Sequence, residues 1–395
     1  MNTPPFLTRV LIRNFKSIAA CDAGLRPLTI LLGPNGGGKS NFLDALRFVT
    51  DGLRTSLEHA FRERGGINEV RRRSAGHPTH LGIRLEFALP AGATGFYGFR
   101  IGAKPVGGYE VVSEECVVHP PEALAGEARF VVNAGEVSGT VPGPAASSDR
   151  LYLVSASGLR EFRPVYDALS EMGFYNANPD RIKDLQLPDA GDRLARDGSN
   201  MAAALDRIGR IEPEVKMRIE GLLARIVPGI RGVDRVALGP RDTLQFRQDA
   251  GPESEWRFLA ASMSDGALRA LGTLAALFQT GEMPLVGVDD ADAGLDPAGI
   301  AVLLEAMGEV SGRRQVIAVS HAPGVLDGAP VAADSVLAVV ADTGSTFAGP
   351  LDAVGREALK RRLNKGGVLL RAEREKAEEG DTGQLRLMGE ASETK

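Results

Sequence analysis

Two spacings of apolar residues alternate along this chain. Residues 7–33 read as two strands, the second ending in the apolar run Leu28-Thr-Ile-Leu-Leu32. Residues 40–60 read as one helix, beginning with the amphipathic stretch Asn41-Phe-Leu-Asp-Ala-Leu-Arg-Phe-Val49. From 80 to 141 the period drops to two. Leu81-Gly-Ile-Arg-Leu-Glu-Phe87, Phe96-Tyr-Gly-Phe-Arg-Ile101 and Tyr109-Glu-Val-Val112 predict antiparallel strands, and Asn133-Ala-Gly-Glu136 predicts a hairpin turn. Val141 to Asp149 is a loop rich in Pro, Ala and Ser. Residues 160–227 are mainly helical, with helical apolar spacing from Val215 to Ile226. Strand and helix alternate again over roughly 256–345. There an apolar helix runs through Leu277, and Gln315-Val-Ile-Ala-Val-Ser320 reads as a buried strand. Beyond about residue 360 the chain is charged, as in Arg371-Ala-Glu-Arg-Glu-Lys-Ala-Glu-Glu379. That predicts a solvated helix and a loose tail.

The junction between Leu32 and Asn41 carries chemistry. Gly33-Pro-Asn-Gly-Gly-Gly-Lys39-Ser40 fits G-x-x-x-x-G-K-[ST], the phosphate-binding P-loop. Gly36, Gly37 and Gly38, with Asn35 among them, let backbone N–H groups turn inward onto phosphate oxygens. Lys39 supplies charge for the β- and γ-phosphates, and Ser40 offers a hydroxyl to Mg²⁺. The helix opening at Asn41 aims its N-terminal dipole at the same anion. The expected ligands are a nucleotide and Mg²⁺; the resemblance given below implies that the nucleotide is ATP.

Pro284-Leu-Val-Gly-Val-Asp289-Asp290 is a short apolar run ending in two carboxylates. Asp289 is the expected holder of the ion, and Asp290 the group that polarises the attacking water. Asp292 is a second candidate for that base. Asp296 follows within Ala293-Gly-Leu-Asp-Pro297, and His321 ends the strand Gln315–Ser320. Upstream, Ser262-Met-Ser264-Asp-Gly266-Ala-Leu-Arg269 opens the apolar helix. Ser264 also suits a plain N-cap. His321 also suits a helix start without chemistry. Ser199 and Asn200 suit the start of a helix at Met201.

The order P-loop, S-x-G signature, acid pair, L-D-P loop and strand-end His resembles an ATP-binding-cassette (ABC) ATPase head. It is closest to the SMC/RecF-like branch and its compact AAA-type ATPases, some of which serve in DNA repair or anti-phage defence. The opening Leu11-Ile-Arg-Asn-Phe-Lys-Ser-Ile18 resembles the N-F-K-S start of that branch, and Arg196-Asp-Gly-Ser-Asn-Met-Ala202 resembles a stretch seen in its compact members. The resemblance spans most of residues 5–345. It implies an α/β fold: a P-loop NTPase of ABC-ATPase head type, with an antiparallel β subdomain and a helical insert. It divides the chain into an N-terminal ATPase lobe (1–150), a helical insert (151–255), a C-terminal ATPase lobe (256–350) and a charged tail (351–395). The insert is too short for the long coiled-coil arm of a chromosome-organising SMC protein.

By position, the resemblance implies that Ser264 and Gly266 contact the γ-phosphate held by a second subunit. It implies that Asp296 lies in the loop crossing that interface, and that His321 senses the γ-phosphate and helps hold the water. The implied partners are a second copy of the chain, bound in an ATP-dependent homodimer, then DNA and an effector or nuclease protein. Two departures stand out. The usual catalytic Glu is replaced by Asp290, one methylene shorter. No Gln of the Q-loop stands in the turn after Leu151-Tyr-Leu-Val-Ser155, where one is expected. Two rival readings remain at this level: the nucleotide-binding subunit of a membrane transporter, and a non-hydrolysing ATP-dependent interaction module.

Composition fits a cytoplasmic globular enzyme. The chain has 395 residues, 43% of them hydrophobic, enough for a large core. With only two cysteines, Cys21 and Cys116, a disulfide scaffold or Cys-based zinc site is not expected. No apolar run reaches the ~18 residues of a membrane span. Met1-Asn-Thr-Pro-Pro opens without the pattern of a signal peptide. Net charge is −5, unevenly spread: residues 1–90 carry 13 Lys and Arg against 7 Asp and Glu. Arg62, Arg64 and Arg71-Arg72-Arg73 are the candidate contacts to a nucleic-acid backbone.

Overall fold

The computed structural model describes residues 5–73, 79–105, 107–121, 126–251, 254–321, 332–342 and 345–353. The N-terminal third holds β1 (Leu7–Phe15), β2 (Ile18–Gly24), β3 (Leu28–Leu32), α1 (Lys39–Arg54), α2 (Leu57–Arg62) and α3 (Ile67–Val70). Then come β4 (His80–Ala88), β5 (Thr94–Ala103), β6 (Tyr109–His119), β7 (Ala128–Asn133) and β8 (Glu136–Gly139). The middle holds α4 (Tyr152–Ala156), α5 (Arg163–Ser170), β9 (Gly173–Tyr175), α6 (Pro179–Lys183), α7 (Met201–Ile211) and α8 (Pro213–Ile226). After it follow β10 (Ile230–Leu238), β11 (Arg241–Asp249) and β12 (Glu255–Leu259). The last part runs α9 (Asp265–Phe278), β13 (Leu285–Val288), α10 (Pro297–Ser311), β14 (Gln315–Ser320), β15 (Val336–Asp342) and β16 (Ser345–Pro350).

Among the described residues thirteen strands form one sheet in the order β8-β7-β6-β5-β4-β1-β2-β16-β15-β3-β14-β13-β9. The run β15-β3-β14-β13-β9 is parallel throughout, and β8 to β2 is antiparallel throughout. β16 joins the two, antiparallel to β15 and touching β2 in parallel at Thr346 and Ile18. The parallel strands are buried on both faces, so they read as apolar runs rather than alternations. Their side chains still sort by pleat. Leu31, Ile317 and Val319 enter one core, and Ile30, Leu32, Val316 and Ala318 enter the other. The fold is that of an α/β P-loop ATPase head, as expected.

Helix α1 buries Phe42, Leu46, Phe48 and Val49 in the first core. There the Phe48 ring meets Phe15 at 5.8 Å and Phe61 at 4.9 Å, both edge to face. Helices α7, α8, α9 and α10 supply the second core, through residues such as Leu205, Leu222, Leu271 and Leu303.

Some local expectations shift. Residues 7–33 form three strands rather than two, because Lys16, in left-handed backbone, turns the chain back between β1 and β2. The helix from the P-loop stops at Arg54, and Ser56 caps a separate α2 by accepting from His59 N. Residues 152–156, expected to lead into a Q-loop turn, form α4. The described residues of the stretch 151–255 hold five helices. They also hold β9, which joins the main sheet, and β10 and β11, which with β12 form a separate antiparallel sheet. The hairpin turn at 134–135 is formed by Ala134 and Gly135, both at positive φ. The charged tail beyond residue 353 lies outside the described residues.

Candidate functional site

The site forms where parallel strands end beside the start of α1. β3 runs into the P-loop, and its neighbours in the sheet are β14 and then β13. Asp289 follows β13 and His321 follows β14. Sheet order therefore brings together residues nearly 290 positions apart in the chain.

Gly36 and Gly38 take φ of 74° and 94°, in the left-handed region that glycine adopts without strain. Gly38 is held for a second reason. A Cβ there would fall 2.2 Å from Thr346 Oγ1. Asn35 and Gly36 are exposed, and Gly37 is buried. Lys39 is 2% exposed, and its ammonium donates to Gly33 O at 2.8 Å and Pro34 O at 2.9 Å. Burial pulls that ammonium below its ordinary range, opposed by the carboxylates of Asp290, Asp289 and Asp292.

Ser40 Oγ donates to Asp289 Oδ1 at 3.1 Å. Asp289 N donates to Tyr175 O at 2.8 Å, which fixes the strand end against β9. Burial, with Asp290 beside it, pushes the Asp289 carboxyl above its usual range, while the Ser40 hydroxyl opposes the shift. A hydroxyl and a carboxylate at bonding distance are both hard oxygen donors, so this pair fits Mg²⁺. The remaining ligands of such an ion would come from phosphates and water.

Asp290 has φ of 53°, a left-handed conformation unusual for a residue other than glycine. That turn aims its carboxylate at His321, with Oδ1 2.5 Å from Nε2. Asp292 points elsewhere: it is buried and accepts from Ser320 Oγ at 2.7 Å. Of the two candidate bases, Asp290 is therefore the one paired with the histidine.

Ser264 is the exposed N-cap of α9, accepting from Ala267 N at 3.3 Å. Gly266, in the first turn, packs against the loop after β13, where a Cβ would lie 2.3 Å from Gly294 O. Asp296 caps α10, accepting from Gly299 N at 2.7 Å. The bonds of Ser264 and Asp296 run to their own helices.

The N-F-K-S turn braces the P-loop helix. Asn41 Nδ2 donates to Ser17 Oγ at 2.7 Å, and Ser17 Oγ lies 2.7 Å from Thr346 Oγ1. Lys16 pairs with Asp44 on α1 at 2.6 Å, and Phe15 is the core ring under Phe48. The Asn41 amide is thus engaged with the turn.

Sequence reasoning missed Arg196. It lines one small pocket with Ser40, Tyr175 and Asp289. Nothing local in the chain marks an arginine 156 positions after Ser40 as its neighbour. The basic candidates divide. Arg64 is 2% exposed and paired with Asp44 and Asp51 at 2.9 Å, so it belongs to the interior. Arg72 donates to Ser345 Oγ at 2.6 Å and is tied to β16. Arg71 and Arg73 bond to Asn68 near the surface. Among the described residues no helix is long and apolar enough to cross a membrane.

Comparison with known proteins agrees with this layout. The family described as "AAA domain, putative AbiEii toxin, Type IV TA system" matches residues 28–114 and 230–327, which include the P-loop, Asp289, Asp290 and His321. The DNA replication and repair protein RecF of Magnetococcus marinus is 25% identical over 348 residues, covering 78% of this chain and 89% of that protein. An SMC head bound to the C-winged helix domain of ScpA shares the fold at 17% identity and TM-score 0.55, covering 89% of this chain and 99% of that one. A Smc head domain derived from Pyrococcus furiosus, with an extended coiled coil and bound to the C-terminal domain of ScpA, does so at 14% identity and TM-score 0.55. It covers 91% of this chain and 100% of that one. Motif order, the matched family and the shared sheet together support an SMC/RecF-like ATPase of ABC type.

Proposed function

We propose that this chain binds Mg-ATP, closes on a second copy of itself, and reopens when the nucleotide is hydrolysed. The observation that carries the reading is the Ser40–Asp289 bond at the mouth of the P-loop, with Asp290 and His321 paired one residue beyond. Backbone N–H groups of Asn35 to Gly38 cradle the phosphates, and Lys39 turns from its carbonyl partners onto them. Ser40 and Asp289 hold the ion, which when bound neutralises charge shared between the β- and γ-phosphates. Asp290 accepts a proton from the attacking water, and His321 orients that carboxylate and the water.

In the closed pair each copy presents Ser264 and Gly266 to the nucleotide of the other, with Asp296 at the shared boundary. The exposure of Ser264 at a helix N-terminus supports this, because such an end favours an anion. Two-fold symmetry makes the two sites equivalent. Loss of the bridging γ-phosphate then separates the halves. Such a cycle serves as a switch or clamp on DNA or on an effector protein. The repair protein among the relatives supports the first partner, and the toxin named in the family description supports an effector role in defence. The test is light scattering with and without Mg-ATP, alongside phosphate release. An ATP-dependent doubling of mass supports the reading, and a mass that never changes sinks the sandwich.

A second reading is favoured by one observation. Asp290 is the shorter acid, already engaged by His321 from a left-handed backbone. If that geometry keeps it from the water, the chain is a nucleotide-gated interaction module that hydrolyses nothing. A single-turnover assay separates the two.

A further inference from the structure

Arg196 stands on a loop that is pinned at several points. Asn176 N, just after β9, donates to Arg196 O at 2.9 Å, and Asn178 N donates to Asp197 O at 3.0 Å. Asn200 Oδ1 accepts from Ala195 N at 2.7 Å, and its amide donates to Arg193 O and to Asp189, both at 3.0 Å. Ser199 N closes the turn on Asp197 Oδ1 at 3.0 Å. The D-G-S-N stretch is thus a clasp that holds the backbone of Arg196 against the end of β9.

That end is next to the metal-binding strand. The sheet order β3-β14-β13-β9 sets Asp289 between the P-loop and the loop of Arg196. The Arg196 side chain is exposed and walls the small pocket shared with Ser40 and Asp289. It also walls a larger cleft of about 330 Å³ opening beside it. Two of its arginine neighbours already have carboxylate partners. Arg47 pairs with Asp44 and Asp51 at 3.4 and 3.3 Å, and Arg193 pairs with Glu171 at 3.0 Å. Among the described residues no hydrogen bond or ion pair engages the guanidinium of Arg196.

We propose that Arg196 is a second cation of the nucleotide site, reaching the terminal phosphate of a nucleoside triphosphate from the side opposite the P-loop. The proposal rests on the Mg-ATP reading above. A guanidinium suits the task because its rigid planar fork matches two oxygens of one phosphate in a fixed geometry, whereas an ammonium is a compact point charge. Lys39 covers the phosphates from within the loop, and an ion held by Ser40 and Asp289 would neutralise part of their charge. Arg196 takes oxygens that neither holds, and these exist only while the γ-phosphate is present.

The test is calorimetry of Mg-ATP and Mg-ADP on wild type, Arg196→Gln and Arg196→Lys, with thermal midpoints recorded to show that each folds. Arg196→Gln is expected to weaken Mg-ATP binding at least tenfold and to leave Mg-ADP within twofold. Arg196→Lys should fall between. Unchanged Mg-ATP binding in Arg196→Gln, or equal loss for both nucleotides, would overturn the proposal. Failure of the wild type to bind Mg-ATP would overturn the reading beneath it instead.

Discussion

His321 Nε2 lies 2.5 Å from Asp290 Oδ1, and the two residues leave adjacent parallel strands, β14 and β13. Replacing Asp290 by Asn keeps the shape of this pair and removes the proposed proton acceptor. Hydrolysis should fall by about a hundredfold or more, within the usual range for general-base loss. The ATP-bound dimer should persist. Light scattering that finds Asp290→Asn no more dimeric than wild type in Mg-ATP would count against the assignment.

Lys39 is the cation supplied by the P-loop itself. Lys39→Ala should abolish measurable Mg-ATP binding, because the β- and γ-phosphates lose it. The substitution also removes a buried ammonium and its two bonds to Gly33 and Pro34. Folding should therefore be checked by circular dichroism in the same sample. A folded variant that keeps wild-type affinity would show that this loop is not the phosphate cradle.

The P-loop was legible because its chemistry is local: glycines, Lys39 and Ser40 follow one another directly between an apolar strand and an amphipathic helix. Asp289 and His321 were legible as strand ends. The small sheet β10-β11-β12 was not, since strands such as Arg241-Asp-Thr-Leu-Gln-Phe-Arg-Gln-Asp249 carry few apolar residues to mark a face. β9 is only three residues long, too short to show a period. Arg64 looked like a surface charge, because its partners Asp44 and Asp51 are found only once α1 and α2 fold together. Arg196 depends on sheet order and so on contacts that no window of sequence contains.

Glu114 gives a pH test of the antiparallel half. It is wholly buried and accepts from Tyr97 Oη, Tyr152 N and Leu153 N at 2.9, 2.5 and 2.8 Å. Burial pushes its carboxyl up to about 7 despite these bonds. The unfolded chain releases that proton near the ordinary carboxylate value of about 4.3. Between these values the folded state binds more protons than the unfolded one, so stability falls as pH rises through the window and levels off above it. Glu114→Gln keeps one acceptor oxygen, enough for Leu153 N and Tyr97 Oη, and loses the one that takes Tyr152 N; it lowers stability overall but removes the titrating group and should flatten the fall. The difference is on the order of 3 kcal/mol at most. Urea midpoints measured at pH 5 and 7.5 should show a steeper drop in wild type, and parallel drops would refute this.

Any DNA contact through Arg71 and Arg73 should be to phosphates. Affinity would then fall steeply with salt and vary little with sequence. Replacing both by Ala, and leaving Arg72 on Ser345, should weaken binding and reduce the salt slope by about two. Basal ATP hydrolysis should stay near wild type. Binding that ignores salt, or a double variant that binds as well as wild type, would clear this face of the role.

The large sheet ends in β8 on one side and β9 on the other, strands of four and three residues. An open sheet edge is a template on which another chain can add a strand, and repeated addition makes a fibre. Here each rim offers hardly more than one ladder repeat. Through this sheet, at least, copies of the protein are steered away from growing edge to edge without limit.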